Sequence, residues 1–264
     1  MDGRSRDELI DVVGGWIAGA DRVLPFTGAG ISTESGIPDF RGPNGVWTKT
    51  DPARYTIQNY LADPAVRRER WLDRLHSPLE AAEPNAGHRA LVDLERMGKV
   101  DVVVTQNIDG LHQLAGSRKV IELHGTTREA TCLSCHVRLP VERVLSRVEE
   151  GDTDPHCERC DGLLKTATIS FGQAMIEEDV ELSVAAAREC DVCLAVGSTL
   201  AVWPAAGVPL AAAREGARLV IVNDAATELD MVASAIIRGR SGTVLSALVR
   251  AVRRAQQRQH AADA

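Results

Sequence analysis

The residues with the clearest chemical signature are four cysteines arranged in two pairs. Cys132 and Cys135 form one C-x-x-C pair, Cys157 and Cys160 form a second, and 21 residues separate the two pairs. Thiolates are strong zinc ligands, and two pairs at such a spacing are typical of tetrahedral Zn(Cys)₄ sites. Because four thiolates leave no open coordination position, the sequence predicts a structural zinc ion and no catalytic role for the metal.

The other two of the six cysteines, Cys190 and Cys193, form a third C-x-x-C pair. This pair lies between a predicted helix and a predicted apolar strand, where a free thiol commonly packs as a small hydrophobic group. The N-terminal segment MDGRSRDELIDVV is charged and lacks the apolar stretch of a secretory signal, which argues against a disulfide framework. We therefore expect a cytoplasmic protein in which one of these two thiols faces the core.

A glycine-rich segment, Gly28-Ala29-Gly30, follows the first apolar run of the chain. Glycines after a strand let backbone N–H groups approach a pyrophosphate, so the segment indicates nucleotide binding. Thr33 holds the third glycine position of the dinucleotide fingerprint, and the usual acidic residue about 20 positions further on is missing. The sequence also lacks the G-K-[ST] of a P-loop. The pattern therefore disfavours an ordinary hydride-transferring dehydrogenase.

His124 is the histidine whose position best suits catalysis. It follows the apolar run 120–123, and in open α/β sheets ligands bind beyond the carboxyl ends of the strands. Its imidazole titrates near neutral pH, which suits a general base. The other histidines of interest are expected to be structural, namely His76, His88, His112 and His260.

Short apolar runs alternate with stretches of helical periodicity along the chain. The runs are 23–26, 100–104, 120–123, 192–196 and 219–222, and the helical stretches are 7–18, 87–97, 176–188, 205–214 and 244–257. Unbroken apolar strands that alternate with helices predict an α/β fold whose parallel sheet is covered on both faces. Pro25 lies in the first run, where its missing N–H group predicts an irregular ladder.

Each of these five runs ends in a small or polar cluster. The clusters are 27–30, 105–107, 124–125, 197–199 and 223–224. Because the carboxyl ends of parallel strands meet at one edge of a sheet, the five clusters predict one shared site. Two stretches interrupt the alternation, a proline-dotted segment at 42–84 and a segment rich in Cys, Gly and Asp at 125–167. We interpret both as insertions carried on the main domain.

Longer motifs around these clusters resemble the sirtuin family. The stretch GAGISTESGIPDFRG at 28–42 is similar to the signature of that family. The motifs TQNIDGLH at 105–112, ELHG at 122–125, GSTL at 197–200 and IVN at 221–223 follow in the family's order. The resemblance covers residues 20–250. It implies an α/β fold in which a Rossmann-like parallel-sheet domain carries a smaller inserted zinc-binding and helical domain.

The resemblance also implies how the chain is divided. Residues 1–41, 85–124 and 168–264 would form the Rossmann-like NAD-binding domain. Residues 42–84 would form a helical insertion and residues 125–167 a zinc-ribbon-like insertion, and the two insertions together would form the small domain. NAD would bind between the large and the small domain.

The activity that the resemblance implies is NAD-dependent protein-lysine deacylation, with NAD as co-substrate, structural Zn²⁺, and acyl-lysine proteins or peptides as partners. The products would be nicotinamide, O-acyl-ADP-ribose and free lysine. His124 falls on the family's general base and would take a proton from a ribose hydroxyl. Asn107 would position a ribose hydroxyl or a water molecule, and Asp109 would hold the amide of nicotinamide.

Further residues match positions that contact the two substrates in the family. Phe40 would cover the reactive face of the ribose and exclude water, and Arg41 would meet phosphate. The full set implied for NAD is Gly28, Ala29, Gly30, Ser32, Ile37, Asp39, Phe40, Arg41, Trp47, Gln106, Asn107, Ile108, Asp109, Gly197, Ser198, Thr199, Asn223, Asp224 and Ser241. The set implied for acyl-lysine is Ile169, Phe171, Gly172, Leu200 and Val202.

Three segments bear on the choice of acylated substrate. Thr166 replaces a proline and Gln173 replaces a glutamate of the family's usual pattern, which leaves the charge preference for the peptide open. Trp71 and Arg74 stand where members that remove succinyl or malonyl groups carry Tyr-x-x-Arg. An indole lacks the phenol hydroxyl, so we predict that neutral acyl groups are the better substrates. The loop 41–48 resembles the branch that includes long-chain deacylases and ADP-ribosyltransferases.

Two alternative functions are compatible with the same motifs. The first is an NAD-dependent protein ADP-ribosyltransferase, which shares the cleavage of nicotinamide. The second is a non-catalytic NAD-sensing protein, which His124, Asn107 and Asp109 disfavour because a binding module needs no base. The formal net charge of −7 argues against direct nucleic-acid binding. No apolar run approaches the roughly 20 residues that span a bilayer, so no membrane partner is expected.

Overall fold

A computed structural model of the chain describes residues 4–42 and 45–262. Residues 1–3, 43–44 and 263–264 fall within the predicted domain bounds but lie outside the described part. The same holds for Pro43 and Asn44 of the loop 41–48, and for the side chain of His260, which the sequence predicts to be structural. Within the described part, no helix is both long enough and apolar enough to cross a membrane.

Two sheets organise the described residues. Their strands are β1 (Val23–Thr27), β2 (Val103–Thr105), β3 (Val120–Glu122), β4 (Gly125–Cys132), β5 (Arg138–Pro140), β6 (Leu164–Thr168), β7 (Val192–Val196), β8 (Arg218–Val222) and β9 (Ala235–Ile237). The larger sheet has the order β3-β2-β1-β7-β8-β9, and all its neighbouring strands are parallel. The smaller sheet has the order β5-β4-β6 and is antiparallel. The predicted parallel sheet is therefore confirmed.

The helices cover both faces of the larger sheet. They are α1 (Arg6–Gly19), α2 (Ile57–Ala62), α3 (Pro64–Leu75), α4 (Ala86–Arg96), α5 (Leu111–Ala115), α6 (Val141–Glu149), α7 (Glu177–Glu189), α8 (Gly207–Arg214) and α9 (Ser241–Ala262). Helices α1, α4 and α9 pack on one face, against Val192 and Leu194 of β7. Helices α7 and α8 pack on the other, against Cys193 and Ala195 of the same strand. Successive side chains of a strand point to opposite faces, so an unbroken apolar run serves both layers.

Pro25 produces an irregularity on one edge of β1. The strand pairs with β7 along its whole length, whereas it pairs with β2 only at Phe26 and Thr27. Val23 donates its N–H group to the carbonyl of Lys99 on the β2 side, at 2.8 Å, and Pro25, two residues further on, faces the same side. Its missing N–H group therefore explains the short β1–β2 pairing, and the predicted irregularity is confirmed on that edge.

A smaller body surrounds the antiparallel sheet. Trp71 of α3 is 1% exposed and packs in a separate core with β4, β6 and α6. Arg67 of α3 forms a bidentate ion pair with Asp154, with both N–O distances at 2.8 Å. The hydroxyl of Tyr60 in α2 donates to the carbonyl of Leu164 in β6 at 2.6 Å. These contacts join the segments 42–84 and 125–167, which the sequence marks as separate insertions.

The predicted elements are present, and the structure adds others. Each of the five predicted strands exists, with bounds shifted by no more than three residues, and so does each of the five predicted helices. The sixth strand of the larger sheet, β9, was not predicted, because three residues between polar flanks give no periodic signal. Helix α9 begins at Ser241 and continues to Ala262, whereas the periodicity predicts only 244–257.

Candidate active site and metal centre

One cavity of about 280 Å³ lies at the carboxyl ends of the parallel strands. It is bordered by the residues that follow β1, β2, β3, β7 and β8, so the prediction that five polar clusters meet in one site is confirmed. The described residues that line it are Gly28, Ala29, Gly30, Thr33, Asp39, Phe40, Arg41, Gly42, Gln106, Asn107, His124, Gly197, Ser198, Thr199, Val202, Asn223, Asp224, Ala225, Gly239, Arg240 and Ser241.

Most of the residues predicted to contact NAD line this cavity, and a few do not. The predicted residues outside the lining are Ser32, Ile37, Trp47, Ile108 and Asp109. The lining residues that the sequence analysis missed are Thr33, Gly42, Ala225, Gly239 and Arg240. Each missed residue lies within two positions of a predicted one. Extending every motif by two residues would therefore have found them.

The glycines at 28 and 30 allow two loops to pack against each other. A Cβ atom on Gly30 would lie 2.7 Å from the Cα of Gly197, and one on Gly28 would lie 2.8 Å from the Cβ of Ser198. The N–H group of Gly28 donates to Val196 O at 2.9 Å, and that of Gly30 donates to Gly197 O at 2.8 Å. These two N–H groups are therefore used within the protein, and the expectation that backbone N–H groups of this loop approach a pyrophosphate stays a prediction.

His124 is held in the protonation state that a general base requires. Its Nδ1 lies 2.9 Å from the carbonyl oxygen of Gln106, and a carbonyl can only accept, so Nδ1 carries the hydrogen of the neutral ring. The lone pair is then on Nε2. Burial lowers the pKa of His124 below its ordinary value of 6.5, although the bond to Gln106 opposes the shift. The ring is therefore neutral at physiological pH and able to accept a proton.

Asn107 and Asp109 are joined through Ser32 behind the cavity wall. The hydroxyl of the buried Ser32 donates to Asp109 Oδ2 at 2.8 Å and accepts from Asn107 Nδ2 at 3.1 Å. Asp109 Oδ1 accepts the N–H group of Leu111 at 3.0 Å. Burial raises the pKa of the Asp109 carboxyl, and these hydrogen bonds limit the shift. Of the two predicted residues, only Asn107 borders the cavity directly.

An aromatic cluster connects the cavity wall with the segment predicted to bind acyl-lysine. Trp47 is at its centre, with its ring centroid 5.1 Å from that of Phe40, 5.2 Å from Tyr55 and 5.7 Å from Phe171. The guanidinium of Arg70 lies 3.6 Å from the centre of the Tyr55 ring, a cation–π contact. Trp47 therefore supports Phe40, which lines the cavity, from behind.

The segment predicted to bind acyl-lysine lies directly beside His124. The N–H group of Ile169 donates to His124 O at 2.7 Å. Phe171 donates its N–H group to Tyr55 O at 3.1 Å, which ties the segment to the helical insertion. Gln173, which replaces the family's glutamate, accepts a backbone N–H group of its own turn at 3.2 Å. Two predicted residues, Gly172 and Leu200, have positive φ values of 77° and 56°, and Val202 lines the cavity.

Trp71 and Arg74 lie away from the cavity, in the core of the smaller body. Trp71 is 1% exposed and Arg74 is 7% exposed. The guanidinium of Arg74 donates to the carbonyl of Thr127 at 3.1 Å. Neither side chain borders the cavity, and the preference for neutral acyl groups stays a prediction.

The four paired cysteines converge on one point. Their Sγ atoms all lie within 4.8 Å of one another. The Sγ atoms of Cys132 and Cys160 are 3.5 Å apart, and those of Cys135 and Cys157 are 3.8 Å apart. Tetrahedral zinc with Zn–S bonds of about 2.3 Å places its ligands about 3.8 Å from one another. The donor set and its spacing therefore fit a zinc ion.

The surroundings of Cys132 favour a thiolate. The N–H groups of Ser134 and Cys135 each point to Cys132 Sγ at 3.4 Å. Burial alone would raise the pKa of Cys132, but these hydrogen bonds outweigh it and lower the pKa to about 6. His156 lies beside a ligand, and its Nδ1 is bonded to the carbonyl of Asp161 at 2.8 Å. Across residues 4–42 and 45–262, the four cysteines are the single group of ligands that could hold a metal.

Cys190 and Cys193 are both buried in the core of the larger sheet. Burial raises the pKa of Cys190 to about 11 and raises that of Cys193 well above its ordinary value. The Cys190 thiol donates to the carbonyl of Ala187 at 3.3 Å. The prediction that one thiol of this pair faces the core is confirmed, and the second thiol is buried there as well.

Comparison with known proteins agrees with this geometry. The Sir2 family matches residues 28–204 of the chain. "NAD-dependent protein deacetylase 2" of Streptomyces coelicolor is 48% identical over 238 residues, which cover 89% of the chain and 99% of that protein. "NAD-dependent protein deacetylase 1" of Bradyrhizobium diazoefficiens is 47% identical over 244 residues, covering 91% of the chain and 95% of that protein.

Solved structures of Sir2 proteins are also similar. One, described under "Structural Basis for the Mechanism and Regulation of Sir2 Enzymes", superposes with a TM-score of 0.86 at 38% identity, covering 94% of the chain and 99% of that structure. A Sir2 homologue in complex with NAD gives a TM-score of 0.84 at 33% identity, covering 93% of the chain and 94% of that structure. The class that the fold and the site define is that of the sirtuins. The chain belongs to the Sir2 family.

Proposed function

We propose that the chain is an NAD-dependent protein-lysine deacylase that produces nicotinamide, O-acyl-ADP-ribose and free lysine. The observation that carries this function is the state of His124, a neutral base with Nδ1 protonated in the cavity that the glycine loop and Asn107 also line. Relatives that are 40–48% identical to the chain bear the name NAD-dependent protein deacetylase. A protein that only senses NAD has no use for a positioned base.

The order of the strands suggests how NAD lies in the cavity. The lining residues follow β3, β2, β1, β7, β8 and β9 in that spatial order. Six strand ends about 4.8 Å apart span roughly 24 Å, enough for an extended dinucleotide. The strand order reverses between β1 and β7, and phosphates of nucleotides bind at such switch points. We therefore place the nicotinamide near His124, the phosphates at the glycine loops, and the adenosine near Ser241.

Individual side chains fit this placement. Arg41, Ser198 and Thr199 would meet the phosphates, Asn223 and Asp224 the adenosine ribose. Asp39 and Ala29 line the cavity and would border the nicotinamide. Ser32, Ile37, Trp47, Ile108 and Asp109 are not part of the lining, and we propose that they shape the cavity from behind it.

NAD, when bound, supplies a ribose carbon that becomes electrophilic as nicotinamide leaves. His124 Nε2 would take the proton from a ribose hydroxyl, which is the acid–base step of the reaction. Asn107 lines the cavity beside it and would position that hydroxyl, while Ser32 and Asp109 hold the amide of Asn107 in place. Phe40, supported by Trp47, would exclude water, which otherwise hydrolyses NAD.

The acyl-lysine would lie between His124 and the aromatic cluster. The bond from Ile169 to the carbonyl of His124 supports this, because it fixes the substrate segment next to the base. Phe171 and Gly172 would line the groove for the peptide. Val202, in the cavity lining, and Leu200 would contact the acyl group. Peptides and proteins with an acylated lysine are the partners, and the absence of nucleic-acid binding and a cytoplasmic location stay predictions.

Zinc would be held by Cys132, Cys135, Cys157 and Cys160, and would tie the turn after β4 to the loop before β6. With four thiolates it has no open position for a substrate, so its contribution is to folding. We further propose the division into a Rossmann-like domain of residues 1–41, 85–124 and 168–264 and a small domain of residues 42–84 and 125–167. The separate core around Trp71 supports this division.

The proposed function is tested by mass analysis of the products formed from NAD and an acetyl-lysine peptide. We expect the deacetylated peptide, nicotinamide and O-acetyl-ADP-ribose in equal amounts. An ADP-ribosylated peptide or protein, without deacetylation, would favour the alternative transferase activity. Absence of turnover by a zinc-loaded preparation that binds NAD would leave only the non-catalytic function.

A further inference from the structure

Two histidines that take no part in the proposed chemistry lie in the core behind the site. His88 in α4 is 0% exposed and His112 in α5 is 1% exposed. Their ring centroids are 4.9 Å apart, with the rings at 63° to each other. Burial lowers the pKa of His88 to about 4 and that of His112 to about 3. Both rings are therefore neutral at physiological pH, and each has one donor and one acceptor nitrogen.

The partners of the two rings fix where the hydrogens are. His88 Nδ1 accepts the N–H group of Asn85 at 3.3 Å, so Nε2 of His88 carries the hydrogen. His112 Nε2 lies 2.8 Å from the hydroxyl oxygen of Thr27, and that hydroxyl donates to the hydroxyl of Thr105 at 2.8 Å. Thr105 directs its own hydroxyl hydrogen to Thr27 O at 3.5 Å. With the hydroxyls in this orientation Thr27 accepts from His112, so the hydrogen of His112 lies on Nε2 and Nδ1 is bare.

The two remaining nitrogens are complementary. His88 Nε2 and His112 Nδ1 have no hydrogen-bond partner among the residues that the structure describes. One is a donor and the other an acceptor, and they belong to adjacent rings. Buried polar groups are seldom left unpaired, because the loss of hydration is not recovered. No hydrogen bond joins the two rings directly, so one water molecule between them would satisfy both nitrogens.

The hydrogen bonds continue from this pair to the residues of the cavity. Thr105 Oγ1 accepts the N–H group of Asn107 at 3.0 Å. Thr27 O accepts the N–H group of Gln106 at 2.9 Å, and the carbonyl of Gln106 in turn accepts from His124. Hydrogen bonds therefore lead from the buried histidine pair, through the hydroxyls of Thr27 and Thr105, to the backbone that positions Asn107 and His124.

The other end of the network reaches the glycine loop. Asn85, which donates to His88, also donates its side-chain amide to Ile31 O at 2.7 Å and to Ser35 Oγ at 2.9 Å. Ile31 ends the turn that begins at Gly28. The network therefore connects the two loops between which the nicotinamide half of NAD is proposed to bind.

We propose that His88 and His112 form one buried polar unit of fixed tautomers that positions the segment 105–107 against the glycine loop. They are positioning residues and touch no substrate. The expected loss of turnover rests on the proposed function, whereas the tautomers can be measured whether or not the protein is active. Breaking the unit shifts Asn107 and the base slightly, so turnover falls while the binding of the peptide is retained.

The kinetic test compares isosteric variants. His112→Phe keeps a ring and removes both nitrogens, Thr27→Val keeps the shape and removes the hydroxyl, and His112→Gln restores a donor toward Thr27. We expect kcat to fall on the order of tenfold for the first two, less than the roughly hundredfold cost of a 1 Å misplacement. We expect His112→Gln to recover most of the loss, and KM for the acyl peptide to stay within about twofold of the wild-type value.

A double variant and a control decide between a network and separate effects. Because both changes break the same path, His112→Phe combined with Thr27→Val should lose no more kcat than either alone. The exposed His76, changed to Phe, should leave kcat unchanged. Three results would each overturn the proposal. The first is a nearly unchanged kcat in folded His112→Phe and Thr27→Val, the second is additive losses of kcat in the double variant, and the third is a His112→Gln as slow as His112→Phe.

Nitrogen NMR of the wild-type protein provides a test without turnover. It should show a protonated Nε2 and a bare Nδ1 for both buried rings, unchanged as the pH falls through the ordinary histidine pKa of 6.5. A His112 that carries its hydrogen on Nδ1, or that titrates near 6.5, would refute the buried unit. This outcome is independent of whether the chain deacylates lysine, which the product analysis of the wild-type protein decides separately.

Discussion

The parallel sheet and the smaller body are held together in opposite ways. The strands β1, β7 and β8 are unbroken apolar runs between two layers of helices, and burial of their side chains supplies the stability. The smaller body has short strands and a small core around Trp71. It relies instead on the Arg67–Asp154 ion pair and on four thiols gathered at one point. We therefore expect substitutions of polar groups to lower the stability of the smaller body more than that of the parallel sheet.

The largest effect should follow from loss of zinc. Structural zinc in Cys₄ sites contributes apparent binding energies on the order of 10 kcal/mol, more than a small core can replace. We expect about one zinc per chain by metal analysis, and Cys157→Ala should lower both the zinc content and the melting temperature.

Cys190→Ala is the matched control, because it removes a thiol that packs in the sheet core and should retain full zinc. A stable and active preparation free of zinc would refute the metal assignment.

The next largest effect concerns the buried ion pair. The side chains of Arg67 and Asp154 are only 8% and 20% exposed, and removing one partner of such a pair costs about 3–5 kcal/mol. Arg67→Met should lower the free energy of unfolding by that amount in denaturant titration. Replacing both partners, with Arg67→Met and Asp154→Leu together, should recover much of it.

The exposed pair Arg143–Glu158 is the control for that titration. Its side chains are 65% and 70% exposed, so Arg143→Met should cost less than about 1 kcal/mol. Equal losses in the free energy of unfolding at the two sites would show that the buried ion pair stabilises the smaller body no more than the exposed one.

In the sheet, the sensitive feature is the backbone contact between the glycine loops. Gly30→Ala would place a Cβ atom 2.7 Å from the Cα of Gly197, which neither backbone can avoid without moving. We expect KM for NAD to rise by roughly ten- to a hundredfold, with only a modest change in melting temperature. Gly15→Ala, in α1 with nothing within 4 Å of the added Cβ, should leave KM unchanged and slightly stabilise the protein. Unchanged NAD affinity in Gly30→Ala would break the proposed placement of the phosphates.

The smallest effect on substrate preference is expected at Arg74. Its side chain is buried against the carbonyl of Thr127 and does not border the cavity. Acetyl- and myristoyl-lysine peptides should be turned over faster than a succinyl-lysine peptide, and Arg74→Met should leave the ratio of these rates unchanged. A preference for succinyl-lysine that Arg74→Met selectively abolishes would contradict our interpretation of this helix.

The sequence predicted the sheet and the cavity well because both have local signals. An apolar run followed by a polar cluster marks a strand end wherever it occurs, and five such ends define an edge of the sheet. The four cysteines carry their chemistry in their spacing. His124 could be singled out for the same reason, since it immediately follows a predicted strand. Asn107 lies three residues beyond a predicted strand, and its role came from the resemblance to the family.

What could not be predicted depends on contacts between distant segments. The start of α9 is set by Glu34, whose carboxylate accepts the N–H group of Gly242 at 2.6 Å from 208 positions away. The N–H groups of Gly28 and Gly30 donate to the carbonyls of Val196 and Gly197, a contact between two loops that neither motif indicates. The pairing of two structural histidines behind the site also joins separate helices. The periodicity of a single segment gives no indication of contacts between distant segments.

The turnover of His124→Ala with NAD and an acetyl-lysine peptide decides whether this histidine is the base. We predict that deacetylation falls by roughly 10²–10⁴-fold while calorimetry shows NAD still binding, and that His76→Ala behaves as wild type. In the wild-type protein, kcat/KM should fall on the acid side only below pH 6.5, because burial lowers the pKa of His124 and the base must be neutral. Retention of more than about a tenth of wild-type turnover in His124→Ala would contradict the assignment of this histidine as the base.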